Sequence, residues 1–375
     1  MIYCLLMLII CMLFGYFSQK HSERLVNEKG EVWGPDENGA YAKLEFWSIA
    51  LIFVLVVMCG LRVNYNDTVN YTTGFAYSGT LDEVLSNTYQ LGDCPGFLYL
   101  QGAVKSLTDN KHVFIMVCAA ATLPSMIIFL KRYSANFFLS MFLFVASHQL
   151  LFSLAAIKQA IAIAIAIWAV PLYLKKKYLW ALLLILLAAT FHPYVLLYLA
   201  IPLLTAKPWG GSTLFIGLVI AGVAVFFQTG LDIVLDFATS LGDSFTKDEF
   251  SDTGVNIFRV LVYLVTAVLS LVFVDRIRQD DNKYQHTFIN IAILSSGIMF
   301  LALFGTANLI GRVANYLSLF MALSLPYIIS RLEKKSATAM TGMTVILYLA
   351  YYLYGIRGIH YTQITLAEFW ESLVR

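Results

Sequence analysis

Long apolar runs, separated by short polar stretches, recur from one end of this sequence to the other. Each run is close to the roughly 20 residues that an α-helix needs to cross a bilayer. Ten runs predict membrane-spanning helices, over residues 1–17, 44–62, 112–130, 135–152, 154–174, 212–228, 257–274, 287–305, 309–330 and 338–356. A longer stretch over 178–204 carries a His-Pro pair at its middle. The pattern predicts an all-α polytopic integral membrane protein with about 10–12 transmembrane helices, folded as a single transmembrane domain over residues 1–375.

Composition agrees with this pattern and excludes several classes of function. Hydrophobic residues make up 59% of the chain and charged residues 13%, against about a quarter charged in soluble domains. A net charge of +2 without a dense basic patch gives no reason to expect nucleic acid as a partner. The cysteine and histidine spacings contain no metal-binding motif. We therefore expect neither a metal ion nor another cofactor.

Lysine and arginine in the short loops predict the orientation, because these residues are enriched on the cytoplasmic side. Basic residues follow the first, third and fifth predicted spans, and others lie around residues 276–283 and 331–335. Counting crossings within each half of the chain places the basic clusters of that half on one side. Segments 63–111 and 229–256 are then predicted to be external loops.

The stretch 178–204 decides whether the two halves agree. A single crossing there would place three basic clusters outside, whereas an even number of crossings keeps all of them inside. Pro193 removes a backbone donor and disfavours helix at His192. We therefore predict a broken or re-entrant hairpin over 178–204, with His192 at its outward tip. The alternative is one kinked span together with a miscounted helix elsewhere.

Five ionisable residues lie in or beside the apolar runs, where Arg or Lys at a bilayer centre costs about 2.5 to 3.5 kcal/mol. They are Arg62, Lys158, His192, Arg259 and Arg312. With the topology above, all five fall in the outer third of the bilayer. Arginine offers two parallel donors to a phosphate and lysine adds a point charge. The set predicts a site for an anionic ligand with a lipid tail, and the alternative for each cation is snorkelling to lipid headgroups.

Polar neighbours extend this candidate site. Gln159 follows Lys158, and their side chains point about 100° apart on a helix, which suits an interior cavity better than lipid. A carboxylate or histidine near a phosphate site can act as a general base on a sugar hydroxyl. His192, Asp67 and Asp93 are the candidates for this base. The alternatives are a helix cap or an ion pair with Arg62 for Asp67, and a turn residue for Asp93.

Aromatic residues of the first external loop can stack on sugar rings or anchor the chain at the membrane interface. These residues are Tyr65, Tyr71, Tyr77 and Tyr89.

The order of these residues resembles EpsG-like proteins, the Wzy-type polysaccharide polymerases of bacterial envelopes. The resemblance covers roughly residues 50–330. Three motifs carry it: Arg62 with Asp67-Thr68, Tyr71, Phe75 and Pro95-Gly96-Phe97; Ile157-Lys158-Gln159-Ala160-Ile161-Ala162, similar to the family's Arg-Gln-x-x-Ala helix; and Arg312-Val313-Ala314-Asn315-Tyr316, similar to its late Arg-x-x-x-Tyr element. Lys158 stands where the family usually has arginine. Asp93-Cys94 stands where an acidic residue commonly abuts the Pro-Gly turn.

The resemblance implies a glycosyltransferase of GT-C-like architecture in the bacterial cytoplasmic (inner) membrane. The donor would be a growing glycan on undecaprenyl pyrophosphate, and the acceptor one repeat unit on the same carrier, joined on the periplasmic face without a metal. The expected partners are these two lipid-linked oligosaccharides, the lipid bilayer, and a chain-length regulator and flippase of the same pathway. Pyrophosphate and glycan binding would fall to Arg62, Lys158, Gln159, Arg259, Arg312, Tyr316 and Tyr71.

Two other functions share part of this pattern. An O-antigen-ligase-like enzyme that moves finished glycan to another acceptor would use the same donor site. A flippase or transporter for lipid-linked oligosaccharide would need polar groups along a path to both faces, near the midplane and related by repeats. The predicted cations cluster on one side instead, and no inverted repeat is visible in the sequence.

Overall fold

The computed structural model describes residues 1–29, 42–86, 94–225, 255–304 and 310–374, together with Ile233, Asp236 and Ser240. The predicted external loop 229–256 therefore lies almost wholly outside the described residues, as do Tyr89 and Asp93. The elements of the first half are α1 (Ile2–Lys29), α2 (Phe46–Gly60), β1 (Arg62–Asn64), α3 (Thr68–Ala76), α4 (Leu81–Leu85), α5 (Pro95–Lys105), α6 (Lys111–Tyr133), α7 (Phe137–Ala146), α8 (Gln149–Ala155), α9 (Ile157–Ala166), α10 (Ala169–Leu174), α11 (Tyr178–Ala189), the 3₁₀-helix η1 (Pro193–Leu204) and α12 (Gly211–Val225).

The second half continues with helices that pack on those of the first. Its elements are α13 (Ile257–Val272), α14 (Val274–Ile277), α15 (Lys283–Leu301), α16 (Ile310–Asn315), the 3₁₀-turn η2 (Ser318–Phe320), α17 (Met321–Ser330), α18 (Lys334–Gly355), β2 (Thr362–Gln363) and α19 (Leu366–Val374).

Apolar helices make up much of the described part of the chain, and some of them are long enough to span a membrane. Four qualify by length and composition there: Ile2–Ser22 of α1, α6, Ile157–Leu174 and α18. The pair α7 and α8 gives a fifth, bent by 52°, and six shorter apolar helices accompany them. The prediction of an all-α polytopic membrane protein is confirmed. The total of 10–12 spans and the GT-C-like architecture stay predictions.

Several predicted spans differ in the structure. No Gly or Pro follows the first run until residue 30, so α1 continues to Lys29, well past the predicted end at residue 17. The span predicted over 135–152 is broken, because His148 adopts a left-handed backbone with φ of 65° between α7 and α8. The span predicted over 309–330 is likewise divided, into α16, η2 and α17.

Contacts gather basic segments of both halves at one end of the bundle, called here the basic end. The buried ammonium of Lys131, near the end of α6, donates to Ser18 Oγ at 2.7 Å and Ser22 Oγ at 2.8 Å. Beside it, Gln285 Nε2 at the start of α15 donates to the Tyr133 carbonyl at 2.6 Å. The end of α6 therefore meets the end of α1 and the start of α15.

The stretch 178–204 begins and ends at the basic end. Trp168 donates to Ser125 Oγ at 2.8 Å, which sets α10 beside the last turns of α6 and places the start of α11 at that end. After η1, Lys207 donates to the Arg278 carbonyl at 3.2 Å, and Arg278 Nε donates to the Pro208 carbonyl at 2.9 Å. The stretch therefore returns to the end of the bundle at which it began, as the charge pattern requires.

The break predicted at His192-Pro193 is present. The helix α11 stops at Ala189, His192 has an extended backbone with φ of −159°, and η1 starts at Pro193. At about 1.5 Å per residue, a helix of this length covers roughly 18 Å of a hydrocarbon core about 30 Å thick. Since α11 is too short to cross, His192 lies inside the protein, part of the way toward the opposite end.

A C-terminal strap, defined here as residues 356–374, lies across part of the opposite end. Its strand β2 pairs antiparallel with β1, with Arg62 opposite Gln363. The amide of Ile364 donates to the Leu61 carbonyl at 3.0 Å, and Asn110 Nδ2 donates to the Ser372 carbonyl at 2.7 Å. This strap was not predicted from the sequence, because residues 356–374 have neither an apolar run of spanning length nor the alternating pattern of a long strand.

Candidate active site

A polar cavity of about 350 Å³ opens toward the end of the bundle that the strap covers. Four separate parts of the chain form it: the start of α3, the start of α9, the break before η1, and α16. The lining residues are Asp67, Asn70, Tyr71, Ala156, Lys158, Gln159, His192 and Arg312. Six of these are among the ten residues that the sequence predicts for the site.

Arg62 shapes the wall that carries Asp67. Its side chain is 1% exposed, and it donates from Nη1 to the Cys59 carbonyl at 2.7 Å and from Nε to Thr68 Oγ1 at 3.3 Å. Thr68 Oγ1 in turn donates to the Tyr65 carbonyl at 2.6 Å. Since the guanidinium is buried, Arg62 does not snorkel to lipid headgroups. It does not line the cavity either, and instead fixes the turn that leads into α3.

Asp67 stands at the N-cap position of α3 with its carboxylate on the cavity. Among the described residues, this carboxylate makes no capping hydrogen bond and no ion pair with Arg62. The preceding residue, Asn66, has a φ of 47°, a left-handed conformation that asparagine tolerates. The turn therefore directs the carboxylate into the cavity, and both structural alternatives for Asp67 are absent.

The start of α9 brings cationic and dipolar charge to the cavity. Lys158 and Gln159 occupy its first turn, and the N-cap residue Ala156 has no side chain that could satisfy the first backbone N–H groups. Unsatisfied amides and the helix dipole favour an anion at such a terminus. The Tyr71 hydroxyl faces the backbone amide of Lys158. Burial raises the pKa of Tyr71 to about 12, so its hydroxyl stays protonated and can donate to a ligand.

Phe97 of α5 supports this wall from behind. Its ring lies 5.3 Å from the Lys158 ammonium and 5.7 Å from the ring of Tyr71. The start of α5 is held against the break before η1, because the Gly96 amide donates to the Thr190 carbonyl at 2.8 Å. A Cβ on Gly96 would overlap with Thr190 Oγ1. Glycine is therefore required where α5 meets the segment that carries His192.

His192 is held by Tyr316 from the far side of the cavity wall. Its Nδ1 lies 2.6 Å from the Tyr316 hydroxyl. The Tyr316 carbonyl accepts a hydrogen bond of 2.7 Å from Tyr198 in η1. Tyr316 is buried and does not line the cavity, so its position fits a residue that orients the imidazole better than one that contacts a ligand.

Arg312 belongs to α16, and Arg259 of α13 contacts the same helix. The Arg312 side chain is exposed to the cavity, while its carbonyl accepts a hydrogen bond of 2.8 Å from Gln159 Nε2. Arg259 lies outside the cavity wall and donates from Nη2 to Asn315 Oδ1 at 3.0 Å. Tyr263 donates to the same oxygen at 2.6 Å. The ligand-binding role predicted for Arg259 is therefore not matched by its position, which is that of a support for α16.

The two cationic side chains of the cavity, Lys158 and Arg312, are placed to bind an anionic ligand. Within the described parts of the chain, neither Lys158 nor Arg312 forms an ion pair with a carboxylate. The Asp67 carboxylate faces the same space and makes no hydrogen bond with any residue that the structure describes. No group of three or more His, Cys, Asp or Glu side chains that could hold a metal was found among the residues described. The arrangement can bind a phosphate group beside a carboxylate that is able to accept a proton.

The comparison with known proteins identifies the chain by its sequence. The model of the EpsG family matches residues 45–367, a range that contains every residue of the cavity. The chain belongs to the EpsG family. Membership indicates a membrane glycosyltransferase of the polysaccharide polymerase type. No curated protein and no solved structure matches the chain.

In this EpsG-family protein, the structure separates the predicted site residues into three groups. Asp67, Tyr71, Lys158, Gln159, His192 and Arg312 line the cavity. Arg62, Arg259 and Tyr316 hold its walls from behind. Asp93 lies outside the described residues.

Asn70 and Phe97 contribute to the site, but the sequence did not predict this role for them. Asn70 lines the cavity one turn from Asp67, and Phe97 supports Lys158. Spacing within α3 could have indicated Asn70, since residues three positions apart share a helix face.

Proposed function

We propose that this EpsG-family protein polymerises undecaprenyl-pyrophosphate-linked oligosaccharide repeat units on the external, periplasmic face of the bacterial cytoplasmic membrane. One observation carries the proposal: the cavity places two cations and a helix N-terminus beside a carboxylate. A glycosyl transfer from a lipid pyrophosphate needs both parts, one to bind the leaving group and one to accept a proton.

Lys158, Arg312 and the positive end of the α9 dipole would bind the donor's pyrophosphate. The bond between the anomeric carbon and the pyrophosphate oxygen breaks, and its electron pair stays on that oxygen. Preorganised positive groups stabilise the negative charge that develops there. Because these groups already supply positive charge, we propose that the reaction proceeds without a metal ion.

The acceptor's sugar hydroxyl would attack the anomeric carbon from the side of Asp67. As the new carbon–oxygen bond forms, the hydroxyl proton passes to the Asp67 carboxylate. We assign the base to Asp67 rather than His192, because the described residues leave its carboxylate without a hydrogen bond while Nδ1 of His192 is occupied by Tyr316. Undecaprenyl pyrophosphate then leaves as an anion, and the glycan has grown by one repeat unit.

His192 would position the substrate by a hydrogen bond. When the Tyr316 hydroxyl donates to Nδ1, the ring proton of the neutral imidazole resides on Nε2. That proton can be donated to a sugar or phosphate oxygen in the cavity. Tyr316 thereby fixes both the orientation and the tautomer of the ring, as hydrogen bonds to the second nitrogen commonly do.

The predicted orientation puts the cavity outside. The basic end would face the cytoplasm by the positive-inside rule, and the cavity lies toward the opposite end. Cysteines at exposed Tyr77 and exposed Lys176 test this in a Cys94→Ser background, since the other four native cysteines are buried. A membrane-impermeant maleimide should label position 77 in intact cells and position 176 only after permeabilisation. The reverse pattern would place the cavity in the cytoplasm.

Reconstitution tests the activity itself. Purified protein in proteoliposomes, supplied with an undecaprenyl-pyrophosphate-linked repeat unit and EDTA, should convert single repeats into a ladder of longer glycans on gels. Repeats that remain single under these conditions would contradict polymerisation. Glycan transferred only to an acceptor other than the lipid carrier would indicate the ligase instead.

A further inference from the structure

The last helix of the chain, α19, shows a face that no part of the described protein covers. None of its residues is buried. Leu366, Trp370 and Val374 are 64%, 68% and 76% exposed, and Leu373 is also exposed. In chain order, these four residues are four, three and one positions apart. Because successive residues of a helix turn by about 100°, all four lie on one side.

The other sides of α19 have different surroundings. Phe369 and Ser372 are half-buried toward the protein, where Asn110 Nδ2 donates to the Ser372 carbonyl at 2.7 Å and to its Oγ at 2.9 Å. Glu368 and Glu371 are exposed on the side away from the apolar face. The helix therefore has a protein side, an apolar side at roughly a right angle to it, and an acidic side opposite the apolar one.

We propose that α19 is an interfacial helix whose apolar face lies in the outer leaflet of the membrane that the chain spans. Three surfaces of the helix then match three surroundings: the bundle beside it, lipid under Leu366, Trp370, Leu373 and Val374, and water over the two glutamates. Tryptophan is enriched at this depth of a bilayer. Because the acidic side faces water, the contact depends on apolar burial and requires no anionic lipid.

The position of α19 in the fold supports this occupant over a protein partner. The strap leaves α18 at Gly355, where neighbouring Leu353 and Tyr354 are exposed on the outside of the bundle. Asn110, the N-cap residue of the membrane-spanning helix α6, donates to Ser372 and so holds α19 at the level where that helix begins. Through β2, the same strap holds the strand that contains Arg62. A helix resting in the outer leaflet would keep the Asp67 wall of the cavity at headgroup depth.

Spin-label accessibility tests this proposal in the intact protein. Single nitroxides are attached at Leu366→Cys, Leu373→Cys and Glu371→Cys in the Cys94→Ser background, each with Trp370 retained. The proteins are placed in nanodiscs of phosphatidylethanolamine and phosphatidylglycerol. Collision rates are measured with oxygen, which concentrates in lipid, and with a water-soluble nickel chelate.

The expected ratio of oxygen to nickel collisions is severalfold higher at 366 and 373 than at 371, and Trp370→Ser lowers it at 366. Equal ratios at the three positions would show a helix in water and overturn the proposal. Exclusion of both reagents from 366 and 373 would show that protein covers the face, which also overturns it. These readouts do not depend on polymerase activity.

Discussion

The side-chain amide of Gln159 donates a hydrogen bond of 2.8 Å to the backbone carbonyl of Arg312, 153 positions away in the sequence. The bond joins the first turn of α9 to α16, the two elements that carry the cations of the cavity. The distance between Lys158 and Arg312 is therefore fixed by the protein before any ligand binds, which is the condition for electrostatic preorganisation.

Gln159→Leu should weaken this coupling while the fold is retained. Leucine, like glutamine, is unbranched at Cβ, but it lacks the amide donor. The lost hydrogen bond costs about 1 kcal/mol, and the cost is higher if the Arg312 carbonyl is left unpaired. We expect a clear drop in kcat/KM with lipid-linked repeats and a small change in Tm. Wild-type kinetics for Gln159→Leu would show that the positions of the two cations do not depend on this contact.

Lys158→Ala should lose about 10²–10³ in kcat if the ammonium stabilises the leaving pyrophosphate. Lys158→Arg should retain activity, because a guanidinium keeps the charge and can also stack on Phe97. Lys111→Ala is the matched control, since Lys111 is exposed at the start of α6 and does not line the cavity. Equal rates for Lys158→Ala and Lys111→Ala would show that Lys158 does not contribute to catalysis and would favour its alternative role of contacting lipid headgroups.

Asp67→Asn should reduce kcat by about 10²–10⁴, the range typical of a lost general base. The amide is nearly the same size, so KM for the lipid-linked donor should change little. Asp82→Asn, an exposed position of α4 in the same predicted external loop, serves as the control. If Asp67→Asn stays active and His192→Asn is inactive, the imidazole is the base.

Gly96→Ala should impair the site without touching a lining residue. Its Cβ would overlap with Thr190 Oγ1 and lie 2.9 Å from Thr190 Cβ, so α5 or the segment before His192 must move. We expect a drop in kcat/KM, because a displacement of about 1 Å can cost 10²-fold. Gly342→Ala, where no atom lies within 4 Å of the added carbon, should be neutral or slightly stabilising. Wild-type kinetics for Gly96→Ala would show that catalysis does not depend on the close contact between Gly96 and Thr190.

The sequence predicted those features that depend on local chemistry. The length of the apolar runs indicated the spans. Pro193 indicated the break in the helix that places His192 at the cavity. Charge in the loops required 178–204 to return to its starting side, and the contacts of Lys207 and Arg278 agree. The same topology predicts that Asp67, Lys158 and Arg312 lie toward the outer face, and all three line the cavity opposite the basic end.

Features that depend on tertiary contacts could not be predicted in the same way. Nothing local distinguishes Arg312, which faces the cavity, from Arg259, which donates to Asn315 and does not line the cavity. The burial of Arg62 depends on the strap, whose strand β2 comes from 300 positions further along the chain. The break at His148 could not be predicted either, since no proline or glycine lies beside it in the sequence.

In the proposed reaction, undecaprenyl pyrophosphate leaves from the cavity beside Lys158 and Arg312. The decisive measurement is the release of this carrier during polymerisation by wild type, by Arg312→Ala and by Arg357→Ala, an exposed arginine that does not line the cavity. We predict one carrier released per linkage by wild type and Arg357→Ala. Arg312→Ala should release it at least 10²-fold more slowly and leave single repeats. Release by Arg312→Ala at the wild-type rate, with long glycan still formed, would contradict the account.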